Sequence, residues 1–331
     1  MPANKGIVLA SRPQGAPTHA NFRLVESQTP EPADGQMLIK HIFMSLDPYM
    51  RGRMDDGKSY AVAQQIDAVM GGGTVGEVVK SNNPRFKAGD HVVGSGGWQL
   101  YSISDGQGLM KVDGKKIPLS AYLGVVGMPG VTAWYGLNNI IAPKKGETVV
   151  VSAATGAVGS VVGQLAKFAG ARTVGIAGGA DKCAYAKSEL GFDVCVDHRS
   201  KTFADDMKAA LPKGVDGLFE NVGGEPFKQT MRRLNPFARL AICGLIASYN
   251  GDPTPLPDMR VMLVNRARME GFIVSDHLAL WPQALEELGS MVASGKLKYR
   301  ETVAHGIESA PDAFFGLLTG KNFGKQVVKL A

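Results

Sequence analysis

Residues 147–163 read ETVVVSAATGAVGSVVG, and this stretch decides the fold. Thr148, Val149, Val150, Val151 and Ser152 form a short, β-branched, mostly apolar run. Such a run fits a strand buried on both faces of a parallel sheet. Residues 153–159, AATGAVG, turn sharply, and residues 160–169 then take up helical spacing. Val161, Val162, Leu165, Ala166 and Ala169 fall on one face of that helix. Strand, glycine turn and helix together form an anion-binding corner. Gly156 and Gly159, with Ala157 and Val158 between them, let the backbone approach a pyrophosphate, and the first N–H groups of the helix point at it. Gly163 permits close packing of helix against strand. A glycine-rich turn alone also occurs as a purely structural corner; the strand before it and the amphipathic helix after it favour dinucleotide binding.

Outward from this corner, strands and helices alternate. Strand candidates at 148–152, 173–177, 194–197, 216–220, 239–243 and 270–274 fill a complete doubly wound parallel sheet of the α/β class. A proline-rich loop is expected over 249–259 and a helix over 281–294. Residues 121–139 read as a helix interrupted at Pro129-Gly130. Before about residue 125 the chain is β-rich, with short strands expected at 7–9, 22–25, 36–44, 73–79, 91–93, 99–103 and 109–112. Their spacing suits a partly open barrel rather than βα units. The tail turns strand-like at 302–307 and 325–330 and is expected to rejoin the first domain. The expected division is therefore 1–125 with 301–331, and 126–300.

The 331 residues are ample for two domains, and 44% hydrophobic with 20% charged residues is ordinary for a soluble protein. A net charge of +6 invites an anionic partner, but the basic residues are dispersed, which disfavours nucleic acid and fits an anionic cofactor. Cys183, Cys195 and Cys243 have no paired spacing, so no disulfide framework or zinc knuckle is expected. The N-terminus lacks a secretory apolar core. The longest apolar run, 121–137, is broken by Pro129 and by Gly124, Gly127, Gly130 and Gly136, so no membrane span is expected. These features predict a cytoplasmic protein.

In a doubly wound sheet, ligands lie beyond the carboxyl ends of the strands. After the second strand comes Gly178-Gly179-Ala180-Asp181-Lys182, with glycine where NAD enzymes place an acidic residue. Lys182 there suits the extra phosphate of NADP; the other reading makes it a solvated helix-start residue and puts Asp181 on the ribose. His198 and Arg199, after the third strand, are placed to reach the same phosphate, although a bland surface role fits His198 equally. Asn221, in Glu220-Asn221-Val222-Gly223-Gly224, offers an amide to the nicotinamide end or serves the turn. Cys243-Gly244 leads to Tyr249, whose phenol, with an ordinary pKa of about 10, can donate to a carbonyl oxygen as charge develops there; simple packing is the alternative. The histidines are scattered without ligand spacing, so no metal site is expected.

Several segments carry a family likeness: residues 45–54 (SLDPYMRGRM), 127–133 (GMPGVTA), 153–159, 219–224, 248–250 (SYN) and 322–325 (NFGK). Over nearly its whole length the chain resembles the zinc-independent medium-chain dehydrogenase/reductases, in particular the NADPH-dependent alkenal/one oxidoreductases. The resemblance implies a GroES-like first domain, a Rossmann second domain and a homodimer. It implies Gly156 to Gly159 at the pyrophosphate and Lys182 at the 2′-phosphate. It places Asn221, Cys243, Gly244, Phe272, Val274 and Asn322 along the cofactor, and Met128 and Thr132 near the nicotinamide. Tyr249 contacts the substrate carbonyl region in this likeness, and Tyr49 shapes the substrate side. Where the family commonly has tyrosine, this chain has His198, which adds charge when protonated.

The activity this implies is metal-free, NADPH-dependent reduction of the C=C bond of α,β-unsaturated ketones and aldehydes, by hydride transfer to the β-carbon. Tyr249, with the nicotinamide ribose hydroxyl, would steady the enolate-like oxygen. Phe43, Met44, Met50, Met54, Tyr60 and Met259 are consistent with a greasy small-molecule acceptor and equally with core packing. The alternatives are an NADPH quinone oxidoreductase of the same superfamily and a non-catalytic NADPH-binding protein.

Overall fold

A computed structural model describes residues 3–251 and 257–330, so part of the expected 249–259 loop lies outside the described residues. The chain divides into two compact units, Met1–Gly124 with Glu301–Ala331, and Val125–Arg300. The first unit opens with β1 (Asn4–Leu9) paired antiparallel to β2 (Phe22–Ser27). Then come β3 (Met37–Ser45), the short helix α1 (Tyr49–Arg53), β4 (Thr74–Ser81), β5 (His91–Gly94), β6 (Tyr101–Ser104) and β7 (Met110–Lys111).

In the second unit α2 (Met128–Tyr135) precedes β8 (Thr148–Ser152), α3 (Gly159–Phe168), β9 (Arg172–Ala177), α4 (Ala180–Ser188) and β10 (Val194–Asp197). It continues with α5 (Phe203–Ala210), β11 (Val215–Glu220), α6 (Gly224–Met231), β12 (Leu234–Ile242), α7 (Arg260–Asn265), β13 (Arg268–Gly271) and α8 (Trp281–Ala293). The chain then returns to the first unit with β14 (Glu301–His305), α9 (Ala310–Leu318) and β15 (Lys325–Lys329).

All five residues of β8 are buried, as an uncharged, mostly β-branched run sandwiched between helix layers requires. The sheet runs β10-β9-β8-β11-β12-β13 with every pair parallel. Its order reverses between β8 and β11, the switch point at which open α/β sheets bind ligands. On one face Val150, Val174, Ile176, Val196, Leu218 and Leu240 pack with Phe203 and Met207 of α5 and Phe227 and Met231 of α6. The first unit's larger sheet runs β14-β15-β3-β4-β5-β7, with β6 also on β3. Its core centres on Trp98, stacked on Phe22 with centroids 5.7 Å apart and met edge-on by Phe314 at 5.7 Å. Such pairs add about 0.5–1.5 kcal/mol each beyond the area they bury.

The structure departs from these expectations at several places; the sixth strand, for one, spans Arg268–Gly271 and leaves Phe272 and Val274 beyond it. Pro129 does not interrupt a helix but opens one: a 3-10 turn (Leu119–Leu123) ends first, and α2 begins with its proline in the first turn, where the missing N–H costs nothing. Strand β12 starts at Leu234, well before the expected residue 239, and passes through Pro236 and Phe237, whose φ is 65°. The tail holds not only two strands but also α9, whose Phe314 fills the first core. Among the described residues, no helix is long and apolar enough to cross a membrane.

Candidate dinucleotide and substrate site

At the end of β8 the chain reverses through Ala153, a non-glycine residue with φ 49°. The Ala153 carbonyl accepts the Gly156 N–H at 2.8 Å, and a Cβ on Gly159 would sit 2.3 Å from that same oxygen. Position 159 must therefore be glycine for the turn to close. Ala157, Val158 and Gly159 lie at the N-terminus of α3, where helical amides have no preceding turn to bond and the helix dipole is positive. Gly163 does allow close packing, but its neighbour is a ring: a Cβ there would lie 1.9 Å from Phe192.

The ends of β9 and β10 form one cationic corner. Asp197 accepts the Gly179 N–H at 2.8 Å and the Arg199 N–H at 2.9 Å. Partial burial pushes its carboxyl up, but those two N–H groups and the nearby cations hold it below the usual range. A Cβ on Gly178 would lie 2.9 Å from His198 Nε2 and 3.0 Å from Arg199 Nε, so both side chains lean over the turn. Lys182 stands in the first turn of α4. Loss of water and the Arg199 charge draw both the Lys182 amine and the His198 ring below their ordinary values. Cations that disfavour one another in this way are suited to a dianion.

Next to it, the buried Glu220 ties the two switch-point strands together. Its Oε1 accepts the Ser152 hydroxyl at 2.8 Å, the Val222 N–H at 2.7 Å and the Gly223 N–H at 2.8 Å. Burial pushes this carboxyl up. Asn221 donates its side-chain amide to the Ser152 carbonyl at 2.8 Å, so its NH2 group holds the end of β8.

Beyond β12 and β13 the second unit has a cavity of about 550 Å³, within the usual size range of small-molecule sites. Its lining includes Cys243, Gly244, Tyr249, Phe272, Tyr135 and His277. Tyr249 follows a single 3-10 turn (Ile246–Ser248); its hydroxyl accepts the Leu245 N–H at 3.3 Å and lies 3.0 Å from where a Cβ on Gly244 would be. Tyr135 stacks on His277 with centroids 4.0 Å apart and tilts against Phe272 at 5.5 Å. Burial and the neighbouring Glu220 push the Cys243 thiol up to about 12, which disfavours its thiolate.

Met128, Thr132, Asn221 and Val274 are not on this cavity wall. The Thr132 hydroxyl bonds the Met128 carbonyl at 2.7 Å, and the Val274 carbonyl accepts Trp281 Nε1–H at 3.2 Å. Sequence reasoning missed Tyr135 and His277. Tyr135 lies in an apolar helical run and His277 in a polar turn, and nothing in their spacing shows that the rings meet.

In the first unit Tyr49 begins α1, half-buried, with the Arg53 guanidinium 4.6 Å from its ring centroid. Burial, with the Asp47 charge, pushes its phenol well above the usual range. The buried Lys325 amine donates to Asp47 and to the Leu46 carbonyl, both at 2.7 Å, and the Ser45 hydroxyl donates to the other Asp47 oxygen. Asn322, just upstream, donates to the Gly324 carbonyl at 2.7 Å. Among the described residues, no group of three or more His, Cys, Asp or Glu side chains is arranged to hold a metal ion.

The glycine turn, the helix N-terminus and the cationic corner fit a dinucleotide carrying an additional phosphate. Comparisons with known proteins agree. Residues 5–112 match the family described as the N-terminal domain of oxidoreductase, and residues 157–290 match the one described as zinc-binding dehydrogenase. The NADPH-dependent curcumin reductase of Escherichia coli is 49% identical over 99% of this chain and 97% of its own. The NADP(+)-dependent 2-alkenal reductase of Nicotiana tabacum is 40% identical over 99% of this chain and 98% of its own. The crystal structure of CurA from Vibrio vulnificus in complex with NADPH superposes with a TM-score of 0.95, at 50% identity and 99% coverage of both chains. The chain belongs to the medium-chain dehydrogenase/reductases, in the group of NADPH-dependent double-bond reductases that includes the curcumin, 2-alkenal and prostaglandin reductases.

Proposed function

We propose that this chain reduces the C=C bond of α,β-unsaturated ketones and aldehydes at the expense of NADPH, without a metal. When bound, NADPH supplies the hydride that goes to the β-carbon of the acceptor. Gly156 to Gly159 and the α3 amides hold the pyrophosphate, while Lys182, His198 and Arg199 hold the 2′-phosphate. Cys243, Gly244 and Phe272, with Met128, Thr132, Asn221 and Val274, line the rest of the cofactor. The Rossmann unit is thus the NADP-binding domain.

Tyr249 carries the chemistry of the acceptor oxygen. Its hydroxyl already accepts an N–H from Leu245, which polarises the O–H and makes it a stronger donor. Donation to the carbonyl oxygen steadies the enolate-like charge that builds up as the β-carbon is reduced. Tyr49 is held in its neutral form by its surroundings and acts by shape and hydrogen bonding rather than as an acid. The same reading extends to a cytoplasmic homodimer, supported by the resemblance to the family and by three cysteines that are all free.

The observation that carries this proposal is the Tyr249 hydroxyl placed over the Cys243-Gly244 turn on the cavity wall. Tyr249→Phe is expected to leave NADPH binding intact and to lower kcat on a simple enone on the order of a hundredfold, as removal of one oxyanion donor does. The product of the unaltered protein should be the saturated ketone. Unchanged turnover, an allylic alcohol as product, or preference for a benzoquinone over the enone would each overturn the assignment.

A further inference from the structure

We propose that Cys183 and Cys195 form an oxidisable dithiol site that tunes the neighbouring cationic corner; the effect on the cofactor rests on the assignment of that corner to the 2′-phosphate. The topology brings the two sulfurs into one layer. Val196 points into the apolar cluster shared with α5, so strand alternation turns Cys195 to the opposite face of β10. Right-handed crossovers place α3 and α4 on that face. Cys183 lies with Ala186 on the buried side of α4. In register with Cys195 on β9 is Gly175, and a Cβ at that glycine would lie 3.3 Å from the Cys195 sulfur. The missing side chain leaves Cys195 room beneath the helix, where the two thiols share a hydrogen bond.

The pair is also chemically asymmetric. The Cys195 S–H donates to Cys183, which lowers the Cys183 thiol, while the same bond, and after it burial, raise Cys195. Cys183 lies near the N-terminus of α4 with the Lys187 charge acting on it, a setting that favours a thiolate, and is the sulfur that attacks, while Cys195 resolves. With hydrogen peroxide as oxidant, the Cys183 thiolate displaces hydroxide from the O–O bond and becomes a sulfenic acid. The Cys195 thiol then displaces water from it, forming the S–S bond. Together the two thiols lose two hydrogens, and the peroxide becomes two waters.

The consequence is local. Cys183 directly follows Lys182, and Cys195 lies on the strand that ends at Asp197 and His198. Closing the bond draws α4 onto β10 beside the turn at Gly178-Gly179, where Asp197 sets the backbone. It thereby moves Lys182 relative to His198 and Arg199.

The test uses the full-length protein, reduced or treated with hydrogen peroxide, alkylated and digested with trypsin. Cleavage after Lys182, Lys187 and Arg199 puts the two cysteines on separate peptides, 183–187 and 188–199. The expected result is one cross-linked species that dithiothreitol separates, absent in Cys195→Ser, where dimedone instead traps Cys183. No cross-link in the oxidised protein, or oxidation confined to Cys243, would overturn the proposal. In parallel, oxidation should raise KM for NADPH on the order of tenfold, a usual size for coupling between sites, with kcat at saturating NADPH unchanged. A cross-link with unchanged KM would overturn the tuning. If Lys182→Ala in the reduced protein also leaves KM unchanged, the failure lies in the 2′-phosphate assignment rather than in the dithiol.

Discussion

The cationic corner of the second unit and the Tyr49 corner of the first handle charge in opposite ways. Around Gly178, Lys182 and Arg199 bear on the His198 ring, with the Asp197 carboxylate turned to backbone N–H groups. Around Tyr49, the charges are already matched: Lys325 and Asp47 form a buried pair whose remaining hydrogen-bonding capacity goes to Leu46 and Ser45. A corner that gathers positive charge beside a helix start suits an anionic ligand, whereas a neutralised one is built to stay in place. The first should show up in affinity and the second in stability.

The largest effect is expected at the matched corner. Lys325→Met leaves Asp47 charged in a dry site, which costs about 3–5 kcal/mol. Urea unfolding should show a loss of that size, and the double variant with Asp47→Leu should recover much of it. A loss under 1 kcal/mol would mean that water reaches the pair. The same unit holds a buried neutral histidine, His41, whose Nε2 meets the Ser102 hydroxyl at 2.9 Å and whose pKa burial lowers to about 4. Unfolded, the ring takes a proton below about 6.5. Between these values the unfolded chain binds the extra proton, so stability falls as pH drops from about 6.5 toward 4, by about 3 kcal/mol in all. His41→Gln should flatten that part of the profile; an unchanged slope would assign it to other groups.

The smallest effect on stability, and the sharpest on function, is expected at the cationic corner. Lys182→Ala should leave the unfolding midpoint in place and raise KM for NADPH on the order of tenfold or more, with kcat little changed, as loss of a charge-assisted hydrogen bond would do. Loss of stability instead would make the two corners alike and end the contrast.

The two corners also differ in how far the sequence reveals them. The corner at Gly178 is local: a strand end, a glycine pair and a lysine lie within a few residues, and strand-end placement follows from topology. What stays hidden there is the role of Asp197, because a carboxylate that caps a neighbouring loop looks like any strand-end acid. The corner at Tyr49 depends on Lys325 returning from the far end of the chain, which periodicity and spacing cannot encode. The Tyr135 and His277 stack is hidden for the same reason. The late start expected for β12 has a different cause: Pro236 reads as a breaker, yet it is accommodated in a strand that also tolerates Phe237 at positive φ. Pro129 was misread by the same rule, which describes helix interiors and not helix starts.

The loss of water and the mutual repulsion around Gly178 have a consequence for the solvent as well as for the ligand. Lys182 and His198 are both drawn toward their uncharged forms before anything binds, and an arriving phosphate dianion would draw them back. Association should then take up protons from the medium, chiefly at His198 near neutrality, and should tighten as the pH falls. Calorimetric titration of NADPH in buffers of different ionisation enthalpy would register this uptake as a heat that varies with the buffer.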